Sequence, residues 1–455
     1  MVSRAVDRRG RSRPAVQKLT GWGRFPVVDA QVVAATDLEA ISRDAVLSRG
    51  LGRAYGDAAL PPPSGGIVAS TVLADRVLAF DPETGRLRAE AGLSLGRINR
   101  LFWPRGWCSP VSPGTSFVTL GGMVASDVHG KNHHEVGCFG QHVLGLRMRT
   151  GAGDLLELSE DRERELFRAT LGGMGLTGHM LEVEVQLKRI PSPWIWRESI
   201  RVDSLDALID GLVEAGASWP YTVCWMDATA TGRQLGRGIL GVGRWAQPDE
   251  CGAARKRWSL QPTVPSACPG SVLSAPLVKA FNRCVWLAHG ASRKRGIVDP
   301  SSFLHNLDGV RDWNRLYGAA GFTQYQCVIP SEDARKGIER ILAELSAANL
   351  TSPIVVVKDC GPEGRGMLSY PRPGISIALD LPIRGGRTAE TVHRLNRKVI
   401  ELGGRVSLTK DTFTTGDEYR AMDPRVDAWL AVRQKWDPER RIRSALSVRL
   451  FGDPA

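Results

Sequence analysis

The stretch VLSRGLGRAYGDAALPPPSGG, residues 46–66, decides how the N-terminal half of the chain is interpreted. It places Gly50, Gly52 and Gly56 directly after an apolar run, as a dinucleotide-binding turn would. A Rossmann fingerprint has the spacing G-x-G-x-x-G and opens a helix. Here the third glycine comes one residue late, and the prolines at 61–63 exclude a helix after the turn. This stretch alone favours a glycine-rich surface turn, so a cofactor role needs a second motif.

The composition limits the class of protein. The chain has 455 residues, which predicts two or three domains at about 150 residues each. Hydrophobic content of 42% and charged content of 24% are ordinary for a globular protein. A net charge of +12 favours polyanionic partners, but no zinc finger, RNP-like motif or basic helix concentrates it, so nucleic-acid binding is not expected.

Targeting signals and cysteines indicate the compartment. The sequence contains no run of about 18 apolar residues and no apolar signal-peptide core near its start. Its eight cysteines are scattered singly, without a C-x-x-C pair. We therefore expect reduced thiols and a cytoplasmic location, with peripheral membrane contact as an option that the basic charge leaves open.

Apolar patterning divides the chain. Short apolar runs separated by glycine turns and helical stretches predict a mixed α+β first domain over residues 16–190, after a disordered basic tail over residues 1–15. The prolines of RIPSPWIW mark its end, and a second domain is predicted over residues 191–404. Residues 249–300 are basic and proline-containing, which predicts an irregular loop. Residues 405–455 form a C-terminal segment.

The second motif is SPVSPGTSFVTLGGMVASDVHGKNHHEVGCFGQHVLGL, residues 109–146. Gly114, Gly121, Gly122 and Gly130 stand there among small and hydroxyl residues. Such runs let backbone N–H groups converge on an anion without obstruction by side chains. Two glycine-rich loops separated by strands suit a pyrophosphate held between them.

A histidine cluster in this motif suggests a metal site, but its spacing has to match that of known metal ligands. Its members are His129, His133, His134 and His142. A catalytic zinc site places such a pair on a helix, usually with a glutamate after the first histidine. Here Gly130 follows His129 and the composition is that of a loop, so no metal is expected. His133 and His134 are predicted to be hydrogen-bonded within the loop, whereas His129 and Lys131 are predicted to belong to the site.

Together, RGLGRAYGD and PGT…VTLGGMVASDVHGKN resemble the flavin-binding loops of the vanillyl-alcohol-oxidase/PCMH superfamily. The order of further stretches along the chain, WNRLYGAAGFTQYQCVIP, VVKDCGP and TKDTFTT, resembles the decaprenylphosphoryl-β-D-ribose 2′-oxidase family more closely. This resemblance implies an α+β, two-domain PCMH-type FAD-binding fold with a separate antiparallel-sheet substrate domain. It also implies that the C-terminal segment returns to the FAD domain. The first loop lacks a histidine for covalent attachment, so non-covalent FAD is expected.

The resemblance assigns residues to the cofactor. Residues 49–58 and 113–122 are expected to wrap the pyrophosphate and adenine side, and residues 129–132 to approach the isoalloxazine. The predicted FAD-binding residues are Arg49, Gly50, Leu51, Gly52, Arg53, Tyr55, Gly56, Asp57, Gly114, Thr115, Thr119, Gly121, Gly122, His129, Gly130, Lys131, Asn132, Met180 and Lys410.

The implied reaction is oxidation of the 2′-hydroxyl of a prenyl-phosphoryl-β-D-ribose to a ketone in the synthesis of a cell-wall arabinan precursor. A cation near the flavin would stabilise the negative charge of its reduced form, and a desolvated lysine could also act as base. The predicted catalytic residues are Lys410, Lys358 and His129. The predicted substrate-binding residues are Tyr55, Lys131, Gln324, Gln326 and Lys358, of which the two glutamines share one face of a strand.

Four positions depart from the family pattern. Ala378 stands where the family has an inhibitor-reactive cysteine, Leu304 and Ser407 where tyrosine is common, and Ser376 where asparagine is common. A related flavin oxidoreductase acting on a soluble sugar, polyol or aminoglycoside-like metabolite therefore stays an alternative. A flavin-free basic nucleic-acid-binding protein is the alternative from another class. The resemblance implies one partner, an NADH-dependent keto-reductase that acts on the product.

Overall fold

The computed structural model describes residues 16–252 and 261–455. The strands, in chain order, are β1 Val16–Thr20, β2 Val27–Ala34, β3 Ala45–Arg49, β4 Ile67–Ser70, β5 Val77–Phe80, β6 Arg86–Glu90, β7 Trp107–Cys108, β8 Val143–Thr150, β9 Leu155–Leu158, β10 Gly178–Gln186, β11 Lys188–Arg189, β12 Ile195–Val202, β13 Tyr221–Met226, β14 Gly238–Trp245, β15 Lys294–Val298, β16 Phe322–Ile329, β17 Val355–Cys360, β18 Gly374–Pro382 and β19 Arg405–Val406.

The helices are α1 Leu38–Ile41, α2 Leu95–Phe102, α3 Leu120–Ala125, α4 His133–Val136, α5 Arg164–Thr170, α6 Leu205–Gly216, α7 Ala275–His289, α8 Pro300–Leu304, α9 Ala334–Ala347, α10 Gly386–Glu401, α11 Gly416–Met422, α12 Val426–Trp436 and α13 Ala445–Phe451. None of these helices is both long and apolar enough to span a bilayer. The predicted basic tail over residues 1–15 lies outside the described residues.

The N-terminal part of the chain contains two larger sheets, besides the short antiparallel pair of β7 and β11. One has the order β1-β2-β4-β3 and includes parallel pairs of β4 with β2 and β3, and the other is the antiparallel sheet β5-β6-β10-β8-β9. Leu87, Met148 and Val183 are fully buried in a core that also contains apolar residues of α2, α3 and α5. This mixture of helices and sheets confirms the predicted α+β class.

The second part is built on one antiparallel sheet of eight strands in the order β15-β12-β14-β13-β17-β18-β16-β19. The strand pleat sends alternate side chains to opposite faces. On β16, Cys327 and Ile329 enter the core shared with α6, α9 and α10, whereas Gln324 and Gln326 line a cavity on the other face. The separate antiparallel-sheet domain predicted by the resemblance is therefore present.

The predicted irregular loop at residues 249–300 is wrong over much of its length, because it contains α7 and β15. Pro276 stands in the first turn of α7, where proline is tolerated. The inner face of the helix is held by tertiary contacts: Trp286 Nε1 donates to Val202 O at 3.2 Å, and Asn282 Nδ2 donates to Asp227 Oδ1 at 3.0 Å. The local composition did not predict this helix, because the residues that stabilise it, such as Val202 and Asp227, lie far away in sequence. Residues 253–260 lie outside the described part.

The C-terminal helices pack against the N-terminal part. Trp429 Nε1 donates to Ala169 O at 2.9 Å, and Arg433 Nε donates to Leu176 O at 3.1 Å. Arg449 on α13 makes two hydrogen bonds to Asp57 at 2.8 and 2.9 Å. Asp57 belongs to the first glycine-rich loop, so the end of the chain fixes the position of that loop.

Candidate active site

A cavity of about 1060 Å³ lies between the two glycine-rich loops and the open face of the eight-stranded sheet. Ligand pockets usually have volumes of about 300–1,000 Å³, so this one has room for a large ligand. Its wall includes residues from β16, β17 and β18 as well as from both loops. The cavity therefore brings together the sequence motifs that were predicted to bind cofactor and substrate.

The two glycine-rich loops contact each other at Gly50. A Cβ atom at Gly50 would overlap the side chain of Thr119, whose Oγ1 accepts a hydrogen bond from Gly122 N at 3.2 Å and so caps α3. Gly52 has a φ of 63°, which favours glycine. Glycine thus permits both the close approach and the sharp bend.

Free amide donors make the loops suitable for a diphosphate. Within the described residues, the backbone N–H groups of residues 51–54, Gly114 and Thr115 donate to no protein acceptor. Successive unpaired amides in a bend with few side chains form an anion-binding concavity. The loops therefore fit the diphosphate of FAD.

Three lysines line the same cavity. Lys131 Nζ donates to Leu304 O at 2.9 Å, whereas the ammonium groups of Lys358 and Lys410 have no hydrogen-bond acceptor in the described part of the chain. Burial, and then the charge of Lys358, lowers the pKa of Lys131 and of Lys410 to about 7. Burial also lowers the pKa of Lys358. A group of desolvated cations in one cavity is typical of a site for an anionic ligand.

Lys410 has a particular position in this group. Its Nζ lies 3.8 Å from the centroid of the Tyr55 ring, over the aromatic face. Its side chain is half-buried because it faces the interior cavity rather than bulk water. A pKa of about 7 lets this amine hold or release a proton near neutral pH.

His129 joins the FAD-binding part to the substrate sheet. Its Nε2 lies 3.1 Å from Gln326 Nε2, and Gln326 Nε2 also donates to Ser376 Oγ at 3.2 Å. The Nδ1 atom of His129 is buried and has no partner among the described residues. Burial lowers the pKa of His129 well below its usual range, so the imidazole is neutral. Nδ1 is therefore enclosed by the protein and left without a hydrogen-bond partner in the described ranges.

Asp380 is a site residue that the sequence did not reveal. It is fully buried and accepts hydrogen bonds from Gln324 Nε2 at 2.5 Å and from Tyr317 Oη at 2.8 Å. Burial raises its pKa to about 6, although both hydrogen bonds and the charge of Lys410 act in the opposite direction. Asp380 orients the Gln324 amide. The signal that could have revealed it is the strand pairing, in which Gln324 stands opposite Asp380 and Gln326 opposite Ala378.

Most of the predicted site residues line the cavity. They are Gly50, Leu51, Gly52, Arg53, Tyr55, Gly114, Thr115, Thr119, Gly121, Gly122, His129, Lys131, Met180, Gln324, Gln326, Lys358 and Lys410.

Five predicted FAD-binding residues do not line the cavity, and their contact with FAD stays a prediction: Arg49, Gly56, Asp57, Gly130 and Asn132. Arg49 donates to Thr20 O and Ala59 O, and Asn132 donates to Pro110 O at 2.9 Å. Asp57 pairs with Arg449, while Gly56 and Gly130 pack against Asp411 O and the Asn132 side chain. These residues shape the loops from behind.

The other histidines of the cluster have protein partners. His133 Nδ1 accepts a hydrogen bond from Gly361 N at 3.0 Å, and His134 Nε2 donates to Trp219 O at 2.9 Å. No group of three or more His, Cys, Asp or Glu side chains in the described ranges is arranged to hold a metal ion.

The four departures from the family pattern all lie at or near the cavity. Ala378 and Ser407 line it directly. Leu304 is buried and offers its carbonyl to Lys131, and Ser376 hydrogen-bonds with Gln326 and Tyr370. The changes therefore alter the substrate side of the cavity and leave the glycine-rich loops as they are.

One prediction concerns Ala378. Wild-type protein incubated with a thiol-reactive electrophile directed at the cavity is expected to keep its turnover, because Ala378 offers no nucleophile and burial raises the pKa of the Cys224 thiol in the cavity wall. Ala378→Cys is expected to lose turnover and to gain an adduct at residue 378, as measured by peptide mass spectrometry. Cys284 is exposed, so both proteins should also carry Cys284→Ser. Loss of turnover by the protein that retains Ala378, together with an adduct on any residue that lines the cavity, would contradict this prediction.

Comparison with known proteins agrees with this geometry. A family model described as FAD binding domain matches residues 25–159. The chain is 33% identical to decaprenylphosphoryl-beta-D-ribose oxidase of Mycolicibacterium smegmatis, over 95% of this chain and 97% of that protein. The chain is also 31% identical to L-gulonolactone oxidase of Scyliorhinus torazame over 25% of each chain. It is 25% identical to D-lactate dehydrogenase of Anaerostipes hadrus over 28% of each chain.

These matches identify an FAD-dependent oxidoreductase with a PCMH-type FAD-binding domain. Within that class, the chain belongs to the decaprenylphosphoryl-β-D-ribose oxidase family, because the similarity extends over nearly the whole of both proteins. The resemblance inferred from the motifs and the assignment of FAD as cofactor are thereby confirmed.

Proposed function

We propose that this protein oxidises the 2′-hydroxyl of a prenyl-phosphoryl-β-D-ribose to the 2′-ketone, in the synthesis of a cell-wall arabinan precursor. The observation that carries the proposal is the convergence of three desolvated lysines and two strand glutamines on the cavity that the glycine-rich loops enclose. Such a cavity offers cations for a phosphate and neutral groups for a sugar. The name of the relative from Mycolicibacterium smegmatis supports this choice of sugar alcohol.

Lys410 is proposed to act on the hydroxyl proton. FAD, when bound, supplies the two-electron acceptor for the alcohol. With a pKa of about 7, neutral Lys410 accepts the hydroxyl proton at Nζ, and the resulting ammonium stabilises the negative charge that develops in the cavity. One side chain thereby serves in sequence as base and as cation.

The other cavity residues are proposed to orient the sugar phosphate. Lys358, whose ammonium has no acceptor in the described residues, binds the phosphate. Gln324, held by Asp380, and Gln326, held by Ser376, present amide groups to the ribose hydroxyls. His129 contacts Gln326 at the boundary between the cofactor loops and the sheet and so helps to position that amide.

The substrate proposal is tested by turnover with an artificial dye acceptor. A prenyl-phosphoryl ribose is compared with free ribose and with a panel of soluble sugars and polyols. We expect kcat/KM to be at least about tenfold higher for the phosphoryl ribose, because each charge-assisted hydrogen bond to phosphate is worth about 1.5–3 kcal/mol. Borodeuteride reduction of the product, followed by mass spectrometry, locates the ketone. An equal or higher kcat/KM with a free sugar would contradict the proposal.

A soluble sugar, polyol or aminoglycoside-like substrate is the second candidate. It is favoured by Ala378 and Ser407, which are smaller than the cysteine and tyrosine expected at these positions and leave more room in the cavity. The same panel separates the two candidates. Under the first, the 2′-ketone needs a reductase to complete its conversion, and we propose a separate NADH-dependent enzyme as that partner.

A further inference from the structure

The outer face of α7 is apolar and exposed. The helix turns by about 100° per residue, and one face carries Leu277, Ala280, Phe281, Cys284, Leu287 and Ala288. Leu277, Phe281 and Leu287 are 56%, 63% and 52% exposed, whereas Val278, Asn282 and Trp286 on the opposite face are buried. Packing of α7 onto the sheet therefore leaves a row of large apolar side chains uncovered in the described part of the chain.

The charged residues of α7 and of the turn after it are basic, and Glu198 of β12 pairs with Arg293 and Arg295. Lys279 and Arg283 lie on α7, and residues 293–295 form the basic cluster Arg-Lys-Arg just after it. The sequence contains no aspartate or glutamate from residue 252 to residue 298. A helix with an exposed apolar face and basic residues at its edge is typical of helices that lie in the surface of an anionic bilayer.

The cavity continues underneath α7. Phe281 and Val285 of the helix form one wall of this arm, and Val223, Trp225 and Ile239 of the sheet form the other. These facing residues form an apolar strip, while polar and charged residues line the same cavity along β12, at the end of α7 and at the start of β15: Arg197, Glu198, Ser199, His289 and Lys294. It opens beside the exposed face of the helix, because Phe281 belongs to both surfaces.

One row of paired residues connects this arm to the sugar-binding end of the cavity. Across the sheet, Ile239 stands opposite Trp225, Trp225 opposite Val356, Val356 opposite Ala378, and Ala378 opposite Gln326. Paired residues in adjacent strands share one face of the sheet. An apolar path therefore runs from below α7 to the glutamine that contacts His129.

We propose that α7 binds the surface of an anionic bilayer through its apolar face, and that the arm beneath it receives the prenyl chain of the substrate from that bilayer. The second clause rests on the proposed prenyl-phosphoryl substrate, whereas the first does not. A bilayer fits better than a protein partner because both charged residues of α7, Lys279 and Arg283, are basic and complement lipid phosphate.

Vesicle binding tests the proposal. Holoenzyme is mixed with vesicles of phosphatidylglycerol and phosphatidylcholine, or of phosphatidylcholine alone, and bound protein is measured by flotation. We expect binding to the anionic vesicles that decreases with salt. Leu277→Ser with Leu287→Ser should weaken it at least about tenfold, since two exposed leucines lose their burial in the bilayer. The matched control is Val213→Ser on α6, which removes an equally exposed apolar residue elsewhere.

Two activity assays separate this proposal from the proposed function. A short-chain phosphoryl ribose in solution should be oxidised equally by wild type and by the double variant, and a long-chain substrate in vesicles should be oxidised more slowly by the variant. If neither the wild type nor the double variant oxidises the short-chain substrate, the proposed function is wrong. Flotation then still tests whether α7 binds the bilayer. Absent binding, or binding unaffected by the double substitution, would overturn the role of α7. A dimeric wild type that the double substitution converts to a monomer would also overturn this role, because α7 would then bind a second copy of the chain.

Discussion

Replacing Lys410 with alanine is expected to lower kcat for the phosphoryl ribose by about 100- to 1,000-fold while FAD stays bound. Loss of one group that stabilises developing charge in a desolvated site costs a factor of this size. In this protein the change also removes the proposed acceptor of the hydroxyl proton. The measurement is stopped-flow reduction under anaerobic conditions, with Lys336→Ala, an exposed lysine on α9, as the control. Equal rates would remove Lys410 from the mechanism.

Lys410→Arg distinguishes the two proposed roles of this residue. Arginine keeps a positive charge but is not deprotonated in proteins, so it cannot accept the hydroxyl proton. We therefore expect the kcat of Lys410→Arg to stay within about tenfold of the kcat of Lys410→Ala. Recovery of the wild-type rate would show that a cation alone is sufficient and that the proton-accepting role is wrong.

Lys410 should also reduce the stability of the FAD-free protein, which gives a readout independent of activity. Its pKa is lowered from the usual 10.5 to about 7, so between these pH values the unfolded chain binds more protons than the folded chain. The unfolding free energy contributed by this residue consequently rises from pH 7 to about pH 10. Lys410→Met should raise the melting temperature at pH 7 by a few degrees and flatten this pH dependence. A lower melting temperature would indicate a structural role instead.

The sequence predicted the framework of the site well where local pattern was sufficient. The strand that carries Gln324 and Gln326 was predicted from its apolar run, and the pleat correctly put both side chains on one face. The glycine-rich loops were recognised because their composition reflects a backbone requirement, and Gly50 and Gly52 show it in a close contact and a positive φ. Local chemistry of this kind is visible without tertiary structure.

What the sequence missed depends on partners that are distant along the chain. Asp380 is an isolated acid in an apolar strand, and its role follows only from the register that pairs it with Gln324. Asp57 belongs to the glycine motif, but its partner is Arg449, 392 residues later, which the motif alone does not reveal. Composition likewise indicated a loop for residues 249–300, because α7 is stabilised by its contacts with the sheet.

Gly50→Ala is expected to weaken FAD binding by about 10- to 100-fold. Its Cβ would overlap the Thr119 side chain, and the two loops would have to separate where they enclose the diphosphate. Overpacking of a close contact typically costs about 1–3 kcal/mol, which corresponds to that loss of affinity. Titration of the apoprotein with FAD, followed by flavin fluorescence, measures it. Release of FAD on acid precipitation would at the same time test the predicted non-covalent attachment.

Two further variants distinguish a local clash from general damage. Gly296→Ala adds the same methyl group where no atom lies within 4 Å and should leave FAD affinity unchanged. Thr119→Ala alone should cost affinity because it removes the cap of α3. Combined with Gly50→Ala, it removes the overlapping atoms, so the double variant should bind FAD more tightly than Gly50→Ala alone. Additive losses in this double-mutant cycle would mean that the contact between the loops does not hold the cofactor site together.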